Sequence, residues 1–187
     1  MSKAAQIASE QELVMSIIAG DKQAFHIIYE QTYGKVARYV GKLVTDETLA
    51  EDVLVQTYTV AWQKMENFQG SSRLTTWLIG IARNIAFKEF RKNKFHEPFN
   101  ETYLAVDSTS HLLPEKKDRK EKMKQALTVL SANHREVLEL VFYQGLTYPE
   151  VSTLINIPVN TVKTRVFHAK KALKEALKNR EITADDI

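Results

Sequence analysis

Apolar residues recur along this chain at three- and four-residue intervals, in blocks punctuated by glycine, proline and capping side chains. That spacing predicts helices from end to end. Ser9 with Glu12 reads as a capping box after a frayed start at residues 1–8, and Leu13, Ile17 and Ile18 follow at helical spacing. Gly20 ends that helix and Asp21 caps the next, which carries Phe25, Ile28, Tyr29, Tyr33, Val36, Val40 and Leu43 as plain core packing. Thr45, Asp46 and Glu47 open a third helix that runs to about Lys64. A polar loop from Asn67 to Arg73 leads into a fourth, over 75–92, whose apolar side is marked by Trp77, Leu78, Ile81, Ile85 and Phe90. Gly80 inside it costs about 1 kcal/mol relative to alanine.

From about Asn93 to Lys117 the periodicity fades around Pro98, Asn100, Ser108, Ser110 and Pro114. A structureless run of that length is improbable inside a compact domain, so it is expected to join two domains. Helical spacing resumes with Met123, Leu127 and Leu130. Ser131 caps a helix bearing Val137, Leu138, Val141 and Phe142, and Gly145 ends it. The tail beyond Glu181 is acidic and expected to be mobile. No convincing strand and no internal repeat stand out. The expected fold is all-α: two four-helix units on a flexible linker.

The most informative stretch is 146–171. Thr147 and Glu150 form a second capping-box pattern, with Pro149 in the first turn and Val151, Leu154 and Ile155 on the apolar face. Asn156 suits a left-handed helix end, and Pro158 keeps the helix from running on. The following helix sets Val162, Val166 and Leu173 on one side and Thr161, Lys163, Thr164, Arg165 and His168 on the other. This reads as a helix-turn-helix with a basic recognition helix. Two amphipathic helices of an ordinary bundle would look similar.

Charge changes that picture. From Thr161 to Arg180 there are seven basic residues and one acid, as a phosphate-facing helix requires. Between residues 73 and 94 six bases face one acid, Glu89, on a helix that also carries aromatics, a combination able to hold single-stranded nucleic acid. A solvated basic face with Trp77 in the core fits the same residues. Residues 44–66 are the reverse, with Asp46, Glu47, Glu51, Asp52 and Glu66 against Lys64 alone: a solvated face or a protein-docking surface. The formal net charge is only +3, so the basic character is local. With no cysteine, disulfides and thiol chemistry are excluded, in agreement with a reducing compartment. No signal-peptide pattern and no run of about 18 apolar residues is present. The five histidines lack metal-ligand spacing, and no Gly-rich phosphate loop or nucleophile elbow occurs, so no metal, cofactor or enzymatic activity is expected.

Three blocks resemble the extracytoplasmic-function (ECF) group of bacterial sigma factors in the sigma-70 family: Ala50-Glu51-Asp52-Val53 through Trp62, Thr76-Trp77-Leu78 through Asn84, and Gly145-Leu146-Thr147-Tyr148 through Arg165. The resemblance implies a region 2 bundle over 9–94, a linker over 95–118 and a region 4 helix-turn-helix over 119–180. It implies a promoter-specificity subunit without catalysis of its own. Glu51, Asp52, Gln56 and Trp62 would dock on the clamp coiled coil of the polymerase β′ subunit, with the β-subunit flap as a further contact. Asn67, Phe68, Gln69, Ser71, Ser72, Arg73, Trp77, Arg83, Asn84, Lys88 and Arg91 would receive and open the −10 element. Asn160, Thr161, Lys163, Thr164, Arg165, His168, Lys170 and Lys171 would read the −35 duplex, with Arg165 the candidate for a bidentate guanine contact. It further implies promoter DNA and an anti-sigma factor as partners, no small-molecule substrate, and a cytoplasmic location in which the anti-sigma factor can hold the protein at the inner face of the membrane. The chain departs from the family's usual residues at Val55 and Gln56, at Thr75 and Gly80, and at Asn160, where glycine is usual.

Overall fold

The computed structural model describes residues 3–44, 46–93 and 126–178. The linker expected over 95–118, the acidic tail and Arg180 lie outside them. The chain divides into two compact units, 1–99 and 100–187. Every regular element among the described residues is helical.

The first unit contains α1 (Lys3–Ile18), α2 (Lys22–Leu43), α3 (Glu47–Gln63) and α4 (Leu74–Asn93), with a single 3₁₀ turn at Met65–Asn67. Helix α1 begins six residues before the expected capping box, so Ser9 is an interior residue rather than a cap. The Ala4, Ala5, Gln6, Ile7, Ala8 run has good helix propensity and carries the helix upstream. Gly20 closes α1 with φ +95°, which a residue with a Cβ rarely adopts. The Asp21 carboxylate then accepts the N–H groups of Gln23 (2.8 Å) and Ala24 (3.2 Å), and Asp46 accepts that of Leu49 (2.7 Å). Each of these caps satisfies amides that helix geometry leaves orphaned.

Helix α4 packs against both α2 and α3. Its fully buried stripe is Leu74, Leu78, Ile79, Ala82 and Ala86. Trp77, Ile81, Ile85 and Phe90, expected on the apolar side, are only half-buried and border that stripe. The small side chains at 82 and 86 let α4 approach its neighbours closely, and this turns the larger residues toward the rim. On α2, Ile28, Val36, Val40 and Leu43 are core as expected, but Tyr29 and Tyr33 are 37% and 40% exposed. They stand at the edge of the buried stripe, where their rings meet Tyr58 of α3.

The second unit contains helical residues 126–128, α5 (Ala132–Leu138), α6 (Tyr148–Ile155) and α7 (Val159–Lys178). Ser131 caps α5 by accepting the His134 N–H. A π turn, Glu139–Tyr143, continues α5. The wider turn shifts the register by one residue and leaves Phe142 and Tyr143 exposed, so Phe142 is not the core residue its spacing predicts. Gly145 (φ +68°) then reverses the chain. Val137, Leu140, Val151, Val162, Val166 and Ala169 form the buried interior, and Leu173 packs on a small cluster of Ala126, Ala176 and Leu177.

Removing core volume from α4 tests this account. Leu78→Ala is expected to lower the unfolding free energy of the first unit by about 2–5 kcal/mol. Urea denaturation followed by the fluorescence of Trp62 and Trp77, both in that unit, measures it.

Candidate nucleic-acid interface

The capping box at the helix-turn-helix forms as its sequence predicts. The Glu150 carboxylate accepts the Thr147 N–H at 2.7 Å, and Thr147 Oγ1 accepts the Glu150 N–H at 3.4 Å. Helix α6 ends on Asn156 in the left-handed region (φ 54°, ψ 53°). The Ser152 hydroxyl donates to the Ile157 carbonyl (2.5 Å), bracing the turn. The Pro158 carbonyl then accepts the first amides of α7, from Thr161 and Val162. The direction in which α7 leaves the turn is therefore set by local bonds.

With Val162, Val166 and Ala169 inward, α7 turns Asn160, Lys163, Thr164, His168, Lys170 and Lys171 to solvent. Thr161 and Arg165 are half-buried at the edge of this face, toward α5. Phe167 is 65% exposed and lies between Thr164 and Lys171 on the outermost line of the helix, its ring edge-on to His168 at 5.4 Å. Its position at 100° per residue, next to Val166 but off the buried line, could have signalled it from sequence. The Lys170 ammonium sits 4.8 Å above the Phe142 ring, so the π turn helps to orient that lysine.

Partial burial, then the positive fields of His168 and Arg165, hold the His134 imidazole below its ordinary protonation range. These three side chains thus converge where α5 meets α7, and the same electrostatics that disfavour protonated His134 would favour an anion there.

In the first unit the loop at 68–73 and the N-terminal half of α4 form a second basic surface. Asn67, Gln69 and Ser71 are exposed, while Ser72, Arg73 and Trp77 are half-buried. Phe68 departs from the expected loop surface: it is 9% exposed, with its ring tilted against Trp77 at 5.6 Å. It forms the floor of the loop, packed against Trp77. Arg73 Nε and Thr76 Oγ1 are buried without a hydrogen-bond partner among the described residues. Unsatisfied polar atoms of this kind are rare and suit a site that a polar ligand completes. Farther along α4, Asn84, Lys88 and Arg91 share one exposed strip, and the Arg83 guanidinium lies 4.4 Å above the Phe87 ring.

Helix α3 presents the opposite charge. Glu51, Asp52, Gln56 and Trp62 all lie on its exposed face, around Val55, which is 67% exposed. Beside Glu51, the rings of Tyr29, Tyr33 and Tyr58 with Leu54 and Val55 line an open cleft of about 280 Å³. Sequence spacing assigns Tyr29 and Tyr33 to the core, which leaves the cleft unpredicted. The Thr32 hydroxyl donates to the Ile28 carbonyl (2.6 Å), which leaves Tyr58 as donor in their 3.0 Å bond. Burial pushes the Tyr58 hydroxyl up to about 12, so it keeps the proton that bond needs.

Two family models match the chain: sigma-70 region 2 over residues 28–96 and sigma-70 region 4 over 120–173. The ECF RNA polymerase sigma factor SigM of Bacillus subtilis is 30% identical over 161 residues, covering 83% of this chain and 95% of that protein. The RNA polymerase sigma-H factor of Pseudomonas aeruginosa is 29% identical over 181 residues, 90% of this chain and 93% of that one. Among solved structures, the sigma factor RpoE in complex with the anti-sigma factor NepR from Bartonella quintana matches with a TM-score of 0.66 and 25% identity, covering 82% of this chain and 96% of that one.

The depressed His134 carries a pH signature. The unfolded chain takes up a proton at the ordinary histidine value, near 6.5, before the folded chain does. The stability of the second unit is therefore expected to fall as pH drops through 6.5, and His134→Gln should flatten that fall. Hydrogen exchange at the Val162 and Val166 amides between pH 5.5 and 7.5, corrected for intrinsic rates, measures both.

Proposed function

Because this chain belongs to the ECF sigma factors of the sigma-70 family, we propose that its three exposed faces divide promoter recognition among them. The protein is an RNA polymerase sigma factor: it directs core polymerase to promoters and initiates transcription there. It contributes specificity and leaves the chemistry to the polymerase.

The single observation that supports the division of labour is the separation of charge by face. Acid is gathered on the exposed side of α3, and base on α4 and α7. Glu51, Asp52, Gln56 and Trp62 dock on the clamp coiled coil of β′, and the adjoining cleft of Tyr29, Tyr33 and Val55 takes an apolar side chain of that coiled coil. The flap of the β subunit contacts the second unit. The recognition helix α7 enters the major groove of the −35 element. Lys163, Thr164 and His168 face bases or phosphates there, with Asn160 and Thr161 at the mouth of the helix, and Arg165 reaches a guanine from its edge. Phe167 adds an apolar face suited to a thymine methyl. Lys170 and Lys171 hold phosphates, which makes affinity fall steeply with salt.

The loop of Asn67, Gln69, Ser71, Ser72 and Arg73, floored by Phe68 and Trp77, receives a base flipped from the −10 non-template strand. Unstacking that base costs a few kcal/mol. The orphaned Thr76 Oγ1 and Arg73 Nε, with Arg83, Asn84, Lys88 and Arg91 along the strand's path, offset the cost. The domain division at 95–118 supplies the tether between the two grips. An anti-sigma factor restrains the protein in the cytoplasm or at the inner face of the membrane. The likeness to a sigma factor solved with such a partner supports this, and no described helix is long and apolar enough to cross a membrane.

Run-off transcription with purified core polymerase tests the reading: stimulation from specific promoters is expected, and binding of promoter duplex without any effect on core would sink it. Arg165→Ala should cost about 1–3 kcal/mol in −35 discrimination and leave core affinity intact. Asp52→Lys should weaken core binding while duplex binding through α7 persists; equal loss of both would count against the docking face.

A further inference from the structure

We infer that Glu10, on α1, is a positioning residue for promoter opening, holding the −10 loop and the start of α4 in their binding geometry before DNA arrives. The inference rests on the −10 reading given above. Leu74 opens α4, and the residue before it, Arg73, has no acceptor on its side chain with which to cap the helix. The cap comes instead from a distant segment. Glu10 is 9% exposed, and its Oε2 accepts the buried Leu74 N–H at 2.8 Å across 64 residues of sequence. A carboxylate at this end of a helix also meets the favourable end of the helix dipole.

The neighbouring residue on α1 lies at the other end of the loop. The Gln11 side chain lies directly against Gly70, so closely that a Cβ at that position would overlap its Nε2. Gly70 has φ +67°, a left-handed conformation that favours glycine. Glu10 thus holds Leu74 by a hydrogen bond and Gln11 lies against Gly70, at the two ends of the stretch that carries Ser71, Ser72 and Arg73. Phe68 and Trp77 close it from beneath. Helix α1 also packs on the 3₁₀ turn that leads into this loop.

A loop that must accept a flipped base pays ordering entropy unless it is ordered beforehand. On this account α1, which carries none of the DNA-facing residues, meets that cost through one carboxylate. The bond of Glu10 goes to the start of α4 and not to the acidic residues Glu51 and Asp52 of α3, so promoter opening and core affinity should separate when it is changed.

The test uses holoenzyme assembled from the full chain and core polymerase, on a promoter selected by the wild-type holoenzyme. Open-complex formation is read by permanganate reactivity of −10 thymines, and core affinity is measured in parallel. Glu10→Ala should reduce opening roughly five-fold, the factor that one lost helix cap represents. Core affinity should stay within about two-fold, as for independent sites. Glu10→Gln keeps an acceptor oxygen and should recover most of the loss. Opening by Glu10→Ala at the wild-type rate, a parallel fall in core affinity, or no recovery with Glu10→Gln would each overturn the proposal. If wild-type holoenzyme opens no promoter at all, the −10 reading itself fails and takes the proposal with it.

Discussion

The first unit depends on the burial of one face of α4 between α2 and α3. Leu74, Leu78, Ile79, Ala82 and Ala86 lose nearly all contact with water, and the hydrophobic gain from that stripe holds three helices together. The same helix must keep Asn84, Lys88 and Arg91 in solvent. A helix can satisfy both demands only if its buried stripe is narrow, and the two alanines make it so. Everything proposed for the −10 element hangs from the rotation that this stripe imposes on α4.

The second unit meets the same demand by other means. The orientation of α7 is set at its start by Asn156, Ser152 and the Pro158 carbonyl, and along its length by Val162, Val166 and Ala169. Local bonding and burial agree, so the basic face has one orientation. The π turn is the exception to regular helix geometry here. It places Phe142 under Lys170 rather than in the core, a local irregularity that bears on a cation of the proposed phosphate-binding set. His134, His168 and Arg165 likewise converge where α5 meets α7, and this disfavours a proton on His134.

Much of the fold was legible in the chain. The caps at Asp21, Asp46, Ser131 and Thr147 are bonds between near neighbours, and short-range chemistry predicts them. The exposure of Glu51, Asp52 and Gln56 follows from helical spacing alone. Less legible were features that depend on which neighbour a helix meets. Tyr29 and Tyr33 carry the periodicity of core residues, yet line an open cleft because α3 covers only part of α2. Phe68 carries the context of a loop residue, yet is buried because Trp77 needs a partner. Phe167 breaks the polar pattern of its face, and its exposure shows in the folded chain.

The sequence by itself determined the helices, the separation of acid from base and the family. The helices and the charge separation follow from propensity, from spacing at 100° per residue and from side-chain charge, and the family from motifs that resemble it; all are properties of residues close together in the chain. Only the tertiary structure decided what holds the loop before α4. The Glu10 carboxylate caps Leu74 from 64 residues away, and Gln11 fills the space that Gly70 leaves open. No periodicity encodes such a pairing: it exists only once burial has brought α1 against the start of α4.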